Sequence, residues 1–442
     1  MFKRFLSLTI CSVLIIALLA ACGANNNNTG ANTGANTGTD TGTNTGTDTA
    51  TPDAEPATIY MFINQPEYTD AFNAFVAEYK KVKPNVTIQL EIMQADYPTI
   101  LKSKIASGSI PDVFASTAGG EIKLYSEYTA DLTNEPLAAV MDDAAKGNMS
   151  YDGKVYGIPI KGNLFNMIYN KKIFADLGIE APKTTTELKD VITKIEAAGI
   201  TPFAYAYKEW WVQKHIFQHF INAETDDAEA LVNEFIAGTT TFAEHPELLN
   251  FFDFVDLTVK HGMSKPLERD YSAGIADFAS GKAAMMVGQG AWVEEGIMQI
   301  APDMQIGVMG YPVNEDPTDA MIITGADQAL RINKDSKVLQ ETIDFFNWLY
   351  TSDYGKSWFS DVAKVIPPLK GVPYPELQMP QQMKAIVESG EKTGDLAVAY
   401  SLDSFHQKFG EIMQAYIVGG PGTRDRAIED IEKAWIQLGA PK

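Results

Sequence analysis

Cysteine is almost absent from this chain, with two residues, Cys11 and Cys22, among 442. Cys11 lies in an apolar N-terminal run that we expect to be removed, so the mature protein would have no thiol pair. A disulfide framework is therefore excluded, and a chain that works outside the cytoplasm must be stabilised by a large hydrophobic core. The length is ample for two domains of ordinary size.

Positive charge is scarce as well. The chain has 35 Lys and Arg residues against 57 Asp and Glu residues, a formal net charge of −22. The charge becomes −24 if Lys3 and Arg4 leave with the N-terminal run. A nucleic-acid-binding protein needs a basic stripe, and none appears. The sequence therefore excludes nucleic acid as a partner, and anionic membrane surfaces would repel the chain.

The chain also lacks the motifs of common enzymes and metal sites. The segment HIFQH at 215–219 has two histidines at helical spacing, but it lacks the glutamate of the HExxH zinc motif and an evident third ligand. The segment GKS at 355–357 has no upstream glycine of a phosphate-binding loop, and no G-x-S-x-G motif occurs. We therefore expect no catalytic residue, no metal and no cofactor.

The N-terminus reads as an export leader that ends in a lipidation site. An uncharged, almost wholly apolar run extends from Phe5 to Ala21, which is typical of a signal peptide. A transmembrane helix is disfavoured because the run is at the lower limit of roughly 17 residues for crossing a bilayer. The run ends in LAAC, residues 19–22, which resembles the lipobox of bacterial lipoproteins. The resemblance implies that residues 1–21 are removed and that a diacylglyceryl group on Cys22 anchors the protein to the membrane.

Residues 22–56 are expected to form a flexible tether behind the lipid. They contain Thr-Gly repeats with Asn, Asp and Ala, and no aromatic or large aliphatic residue. Such a segment cannot bury enough apolar surface to fold. As a flexible coil of about 33 residues it would reach roughly 30 Å. A tether fits this composition better than a binding arm.

From residue 57 onward, strand patterns alternate with helical patterns. Residues 59–63 form an apolar run, and 85–92 and 110–116 give two further strand patterns. Between them, 70–81 and 96–107 have apolar side chains at helical spacing. The alternation predicts a parallel sheet covered by helices. Further strands are predicted at 155–160, 165–169, 202–207, 283–287, 304–310 and 328–332, and helices at 171–177, 185–198, 336–352 and 425–438 with more between 210 and 261.

Five stretches spread over residues 57–440 are similar to one known family. They are SGSIPDV (107–113), YDGKVYGIP (151–159), MIYNKKIF (167–174), FASGKAAM (278–285) with the later Gly290 and Trp292, and the helical segment 335–350. In this order they resemble blocks of the extracellular solute-binding proteins of ATP-driven sugar importers, typified by maltodextrin-binding protein.

The resemblance implies an α/β, two-lobed periplasmic-binding-protein-like fold of class II. Lobe one would consist of 57–160 plus 311–365, and lobe two of 161–310 plus 366–442. Crossing segments would form a hinge, and the ligand cleft would lie between the lobes. Members of this family close over their ligand by hinge rotation.

Loops at the ends of two predicted strands are candidates for ligand binding. Open α/β sheets bind ligands beyond the carboxyl ends of their strands. This rule selects the loops after the first and third strands, where the predicted ligand-binding residues are Asn64, Gln65, Glu67, Tyr68, Ser116 and Thr117. Their polar groups can bond to hydroxyls, although ordinary turn and helix-capping chemistry is the alternative.

Tryptophans favour a sugar as the ligand, because an aromatic plane covers the apolar face of a sugar ring while polar groups bind its edges. The resemblance implies stacking aromatics at Trp210 or Trp211 and at Trp292. One of the adjacent pair would face the cleft and the other would pack. The resemblance also implies a contact from Asp327, whose alternative is a strand-end turn.

Taken together, these features predict a monomeric, lipid-anchored receptor that binds an oligosaccharide and delivers it to the permease subunits of an ATP-binding-cassette importer. It would act on the outer face of the cell membrane, in a Gram-positive bacterium. Two alternatives are a membrane-anchored glycoside hydrolase with two carboxylates in an aromatic cleft, and a binder of a non-sugar solute such as a peptide.

Overall fold

The computed structural model describes residues 55–93 and 96–440. Cys22, the predicted leader 1–21 and nearly all of the predicted tether 22–56 lie outside the described residues. None of the helices in the described ranges combines the length and the apolarity that crossing a bilayer requires.

The described residues contain thirteen β-strands and seventeen α-helices. The strands β1 to β13 are Ala57–Ile63, Val86–Ile92, Val113–Thr117, Ser150–Tyr151, Lys154–Val155, Ile158–Pro159, Asn163–Asn170, Thr201–Ala204, Ala283–Gly290, Ile306–Met309, Ile322–Gly325, Gln328–Ile332 and Thr393–Gly394. The helices α1 to α17 are Thr69–Val82, Tyr97–Ala106, Gly120–Tyr125, Pro136–Val140, Asp143–Asn148, Lys171–Leu177, Thr185–Ala197, Val212–Glu224, Ala228–Ala237, Pro246–Lys260, Tyr271–Ala279, Glu294–Ile300, Leu339–Thr351, Asp353–Ser357, Gln378–Ser389, Asp403–Gly419 and Arg424–Leu438.

The first sheet has the strand order β2-β1-β3-β12-β6. β1 runs parallel to β2 and β3, as the alternation of strands and helices predicts, while β12 returns antiparallel to β3. The apolar run Met61–Ile63 is fully buried in β1. One face of α1 packs into the same core through Phe72, Phe75 and Tyr79. We call the part of the chain built on this sheet lobe one.

The second sheet has the order β13-β11-β7-β9-β8, with β10 also paired to β7. All eight residues of β9 are buried, as expected for a central strand covered on both faces. The largest core of this part gathers side chains from α8, α10, α16 and α17. We call the part built on this sheet lobe two.

Two short segments carry the chain between the sheets. Residues 160–162 join β6 of the first sheet to β7 of the second, and residues 326–327 lead back from β11 to β12. The crossings lie side by side, since Asn163 Nδ2 donates a hydrogen bond to Asp327 Oδ1. A third segment joins them where Gly162 N–H bonds to the carbonyl oxygen of Ile366 at 2.8 Å.

The lobe boundaries inferred from the sequence stay a prediction. The packing suggests where the chain goes back from lobe two to lobe one. Tyr311 and Val313 pack in the core of lobe two. β11 also pairs with β7 in the second sheet. We therefore propose that the chain returns to lobe one between Gly325 and Gln328, later than residue 311.

Candidate functional site

The loop after β1 brings polar side chains to the junction of the lobes. Gln65 is 1% exposed and donates from Nε2 to Gln328 Oε1 at 2.5 Å. Asn64 has a buried Oδ1 without a hydrogen-bond partner. Tyr68 is buried at the end of the short 3-10 turn Pro66–Tyr68, whereas Glu67 in that turn is exposed.

Lys161, in the first crossing segment, lies between an aromatic ring of each lobe. Its Nζ is 5.3 Å from the ring centroid of Tyr68 in lobe one and 5.1 Å from that of Trp292 in lobe two. Both distances are within the range of a cation–π interaction. We call Lys161, Tyr68, Trp292, Glu67 and Asp327 the lysine–aromatic cluster.

The lysine of this cluster keeps its positive charge although it is only 5% exposed. Burial acts to lower the pKa of Lys161, but Tyr68, Asp327 and Glu67 outweigh it, so the pKa is raised above its ordinary value. Asp327 is oriented by the hydrogen bond from Asn163, which is itself buried. The cluster therefore presents an ammonium group, a carboxylate and an amide beside two aromatic faces.

The two adjacent tryptophans occupy different surroundings. The Trp211 ring is 5.2 Å from His215, whose ring is 5.6 Å from Trp292. Trp211 also lies 6.3 Å from Tyr271 of α11. Trp210 instead lies under the ammonium of Lys214, at 5.3 Å. Trp211 thus extends the aromatic wall of the cluster, and Trp210 lies apart from it.

Both histidines of the HIFQH segment are buried in α8. Burial lowers the pKa of His215 well below its ordinary value and that of His219 to about 3, so both imidazoles are neutral. His219 packs on Tyr311 at 4.1 Å, while His215 contributes an apolar face beside Trp292. Within residues 55–93 and 96–440, no three metal-ligating side chains come together.

A cavity of about 280 Å³ lies beside the cluster, between α2 and α3 of lobe one and α16 of lobe two. Three predicted site residues, Asn64, Ser116 and Thr117, line it. Carboxylates face the cavity from both lobes, Glu121 from α3 and Asp403 from α16. The hydroxyl oxygen of Thr117 is buried without a hydrogen-bond partner, like the amide oxygen of Asn64. Both oxygens therefore have unused capacity to accept a hydrogen bond.

A buried arginine braces the floor of the cavity. Arg331 donates from Nε to Ser116 Oγ at 2.7 Å and from Nη2 to the Thr117 carbonyl oxygen at 3.2 Å. Ser116 Oγ in turn donates to that carbonyl, and Glu121 Oε2 accepts the Thr117 N–H at 3.1 Å. The hydroxyl of Ser116 is thus engaged within the protein, whereas that of Thr117 is not.

The two lobes touch closely next to this cavity. Gly119 adopts φ +62°, and a Cβ added there would lie 1.9 Å from the carbonyl oxygen of Ala399 in lobe two. A Cβ added at Gly120 would lie 3.5 Å from Ser401 and Leu402, which is an ordinary van der Waals contact. Only a residue without a side chain fits at position 119, so glycine permits this contact between the lobes.

The cavity and the cluster meet at the ends of three strands. Gln328 of β12 pairs with Thr117 of β3 and accepts the hydrogen bond from Gln65. The N–H of Ala118 donates to the carbonyl oxygen of Asp327 at 2.8 Å. Of the predicted residues, the structure brings Glu67, Tyr68, Trp211, Trp292 and Asp327 to the cluster. It places Asn64, Ser116 and Thr117 at the cavity, Gln65 between the two, and Trp210 outside both.

Several side chains of the site were not predicted from the sequence. They are Lys161, Asn163, His215, Tyr271 and Glu121. Lys161 had a usable signal, because it lies two residues beyond the Gly-Ile-Pro segment at 157–159, next to which the chain crosses between the lobes. Glu121 had none, since acidic residues are abundant throughout the chain and it comes close to Asp403 only through the fold.

The chain matches a family model described as bacterial extracellular solute-binding protein over residues 65–356. It is 23% identical over 305 residues to the multiple sugar-binding protein of Streptococcus mutans, covering 67% of this chain and 72% of that protein. It is 25% identical over 304 residues to the melibiose/raffinose/stachyose-binding protein MelE of Bacillus subtilis, covering 66% and 69%.

Solved structures share the fold. A chitin oligosaccharide binding protein superposes with a TM-score of 0.75 at 20% identity, covering 87% of this chain and 99% of that one. The solute-binding protein RafE in complex with raffinose gives 0.72 at 20% identity, covering 86% and 99%. The predicted two-lobed α/β fold is thereby confirmed.

Proposed function

Because the chain belongs to the bacterial extracellular solute-binding protein family, we propose that it captures an oligosaccharide between its lobes and delivers it to the permease of an ATP-binding-cassette importer. The observation that carries this proposal is the lysine–aromatic cluster. Tyr68 and Trp292 come from different lobes and flank one buried, charged lysine. A ligand held there contacts both lobes and therefore favours the closed state.

The chemistry of the cleft fits a carbohydrate. The rings of Trp292, Trp211 and Tyr271 supply planes for the C–H faces of sugars. Lys161 donates hydrogen bonds, and Asp327, Asn64 and Thr117 offer oxygen acceptors for hydroxyls. Relatives named for sugar binding support the same class of ligand. We propose that one sugar unit stacks in the cluster while another enters the cavity.

A second candidate function, glycoside hydrolysis, has one observation in its favour. Burial and then the charge of Asp403 raise the pKa of Glu121 to about 7, whereas the pKa of Asp403 is lowered. Two carboxyl groups with separated pKa values are the usual acid and base of a glycosidase. Against this role, Glu121 is tied to the backbone N–H of Thr117 and lies under Arg331 rather than at the aromatic cluster.

One titration separates these functions and the non-sugar alternative. The full chain is titrated in a calorimeter with melibiose, raffinose, stachyose, maltotriose and a neutral peptide, and the sugars are then analysed by chromatography. We expect saturable, one-to-one binding of at least one oligosaccharide, which is recovered intact. Recovery of cleaved sugar would show that the protein is a hydrolase rather than a receptor. Binding of the peptide alone would refute the carbohydrate assignment.

We further propose that the receptor works as a monomer held at the outer face of a Gram-positive cell membrane by a lipid on Cys22. The support is the lipobox-like segment at 19–22 and the low-complexity segment behind it. With a net charge of −24 after loss of Lys3 and Arg4, the chain needs a lipid rather than electrostatic attraction to stay at an anionic membrane. Cys22→Ser should move the expressed protein from the membrane fraction to the medium, whereas Cys11→Ser should not. Equal membrane retention of both variants would refute the anchor.

A further inference from the structure

Glu121 and Asp403 reach the same cavity from opposite lobes. Glu121 follows Gly119 and Gly120, whose backbone packs against Ala399 and Leu402 of lobe two. Asp403 begins α16 one residue beyond Leu402. The contact that holds the lobes together thus also brings the two carboxyl groups to one cavity. Since Glu121 sits on lobe one and Asp403 on lobe two, any opening of the lobes separates them.

The charged groups around Glu121 do not neutralise it. On its own lobe, Arg331 of β12 is directed mainly to Ser116 and Thr117, and Lys102 of α2 lies exposed at the cavity rim. The phenols of Tyr97 and Tyr125 also line the cavity and are neutral, because burial raises both pKa values. From lobe two, α16 presents Asp403, Lys408 and Glu411, of which the last two pair with each other at 3.4 Å.

Asp403 has its own partners within lobe two. Lys214 of α8 lies 3.5 Å from Asp403 Oδ1, and His406 Nδ1 lies 3.8 Å from it. These contacts keep Asp403 ionised in the closed lobes. They also remain when the lobes separate, because all three residues belong to lobe two. The group whose surroundings change on opening is therefore Glu121.

We propose that Glu121 and Asp403 form a proton-binding site that only the closed lobes complete, so that capture of the sugar takes up one proton. The proposal rests on the proposed function, since it requires closure over a ligand. Loss of water and a nearby carboxylate both disfavour ionisation of a carboxyl group, so Glu121 would hold the proton while Asp403 stays charged. Nothing in oligosaccharide binding itself requires this coupling, which makes it a separate property of the chain.

The direction of the pH effect follows from the pKa of Glu121 in the two states. In the structure burial and then Asp403 raise it to about 7, and we expect opening, which admits water and moves Asp403 away, to lower it toward the ordinary value of 4.5. Well above pH 7 Glu121 is ionised in both states, and well below pH 4.5 it is protonated in both, so its protonation makes no pH dependence of sugar affinity at either end. Between these limits affinity should rise as pH falls, by up to about tenfold per pH unit.

Calorimetry between pH 5 and 8 tests the coupling, with the tightest-binding sugar of the panel as the probe. Titrations at pH 6 in two buffers of different ionisation enthalpy give the number of protons bound. We expect up to one proton taken up per sugar and an affinity that increases toward lower pH. Glu121→Gln should abolish the uptake, flatten the pH profile and bind more tightly than the unmodified chain at pH 8.

Glu411→Gln is the matched control, because it removes a carboxylate from the same cavity but one that is exposed and paired with Lys408. This variant should keep both the proton uptake and the pH slope. Sugar binding without proton uptake would overturn the inference while leaving the proposed function intact. An unchanged slope in Glu121→Gln would likewise overturn it. Failure of every oligosaccharide to bind would instead refute the proposed function, and this inference with it.

Discussion

The two ends of the cleft differ in the forces that they offer to a ligand. The lysine–aromatic cluster presents apolar ring faces around one buried cation, with Tyr68 and Trp292 within 5.3 Å of its ammonium. The cavity beside it is lined by hydroxyl, amide, carboxyl and ammonium groups together with apolar side chains such as Leu101 and Leu438, and no tryptophan lines it. Stacking at one end and hydrogen bonding at the other suit a ligand of at least two sugar units. The cluster should therefore supply most of the affinity, and the cavity should couple binding to closure.

The largest expected effect comes from blocking closure beside the cavity with Gly119→Ala. A Cβ at this position would overlap the carbonyl oxygen of Ala399, at 1.9 Å. We expect sugar affinity to fall by about 3 kcal/mol, on the order of a hundredfold. Gly108→Ala is the control, because Gly108 has a similar φ of +71° and nothing within 4 Å. Equal affinities for the two variants would show that this contact does not matter for binding.

Removal of the stacking ring should come next. Trp292→Ala deletes the lobe-two face of the cluster and should weaken sugar binding by about 2 kcal/mol, roughly thirtyfold. The ring also contacts Phe165 and His215, so thermal unfolding of the variant must be measured alongside the titration. If a folded variant bound sugar with unchanged affinity, the cavity rather than the lysine–aromatic cluster would supply most of the binding energy.

Lys161→Met tests the cation between the two rings. The substitution keeps an unbranched apolar stem but removes the ammonium, and we expect a loss of about 1.5 kcal/mol, around tenfold, for a hydrogen bond from a charged donor. Lys161→Arg, which keeps the charge, should retain more of the affinity. If Met and Arg variants bind the sugar as well as the unmodified chain does, the lysine serves packing alone.

The smallest effect concerns the adjacent tryptophans. Trp211→Ala should cost about 1 kcal/mol of sugar affinity, because Trp211 reaches the cluster through His215 and Tyr271. Trp210→Ala should leave the affinity nearly unchanged, because its ring lies under Lys214 instead. If Trp210→Ala lost more sugar affinity than Trp211→Ala in paired titrations, Trp210 rather than Trp211 would be the ring that contributes to binding.

Much of the fold could be predicted from local patterns. β1 and β2 contain the apolar run at 59–63 and the strictly alternating residues 85–92. Both patterns predict strands, because an apolar run suits a strand buried on both faces and an alternating run suits a strand buried on one face. The predicted strand 202–207 was wrong at its end, since β8 stops at Ala204. Beyond it, Tyr205 and Tyr207 stack on each other at 4.2 Å, a tertiary packing choice that the local sequence does not reveal.

The candidate site could be predicted only in part, for a physical reason. Trp292 and Tyr68 are large and distinctive, so each stands out within its own segment. Lys161, Glu121 and Asp403 are ordinary surface residues by composition. They become unusual through burial and through neighbours from the other lobe. Such properties exist only after distant segments have come together.

The most direct test of this account is a crystal structure of the chain with the tightest-binding oligosaccharide. We predict one sugar ring stacked on Trp292 within hydrogen-bonding distance of Lys161, and a neighbouring unit in the cavity bonded to Thr117. A sugar bound on the outer surface of either lobe, with the cleft unoccupied, would contradict the account.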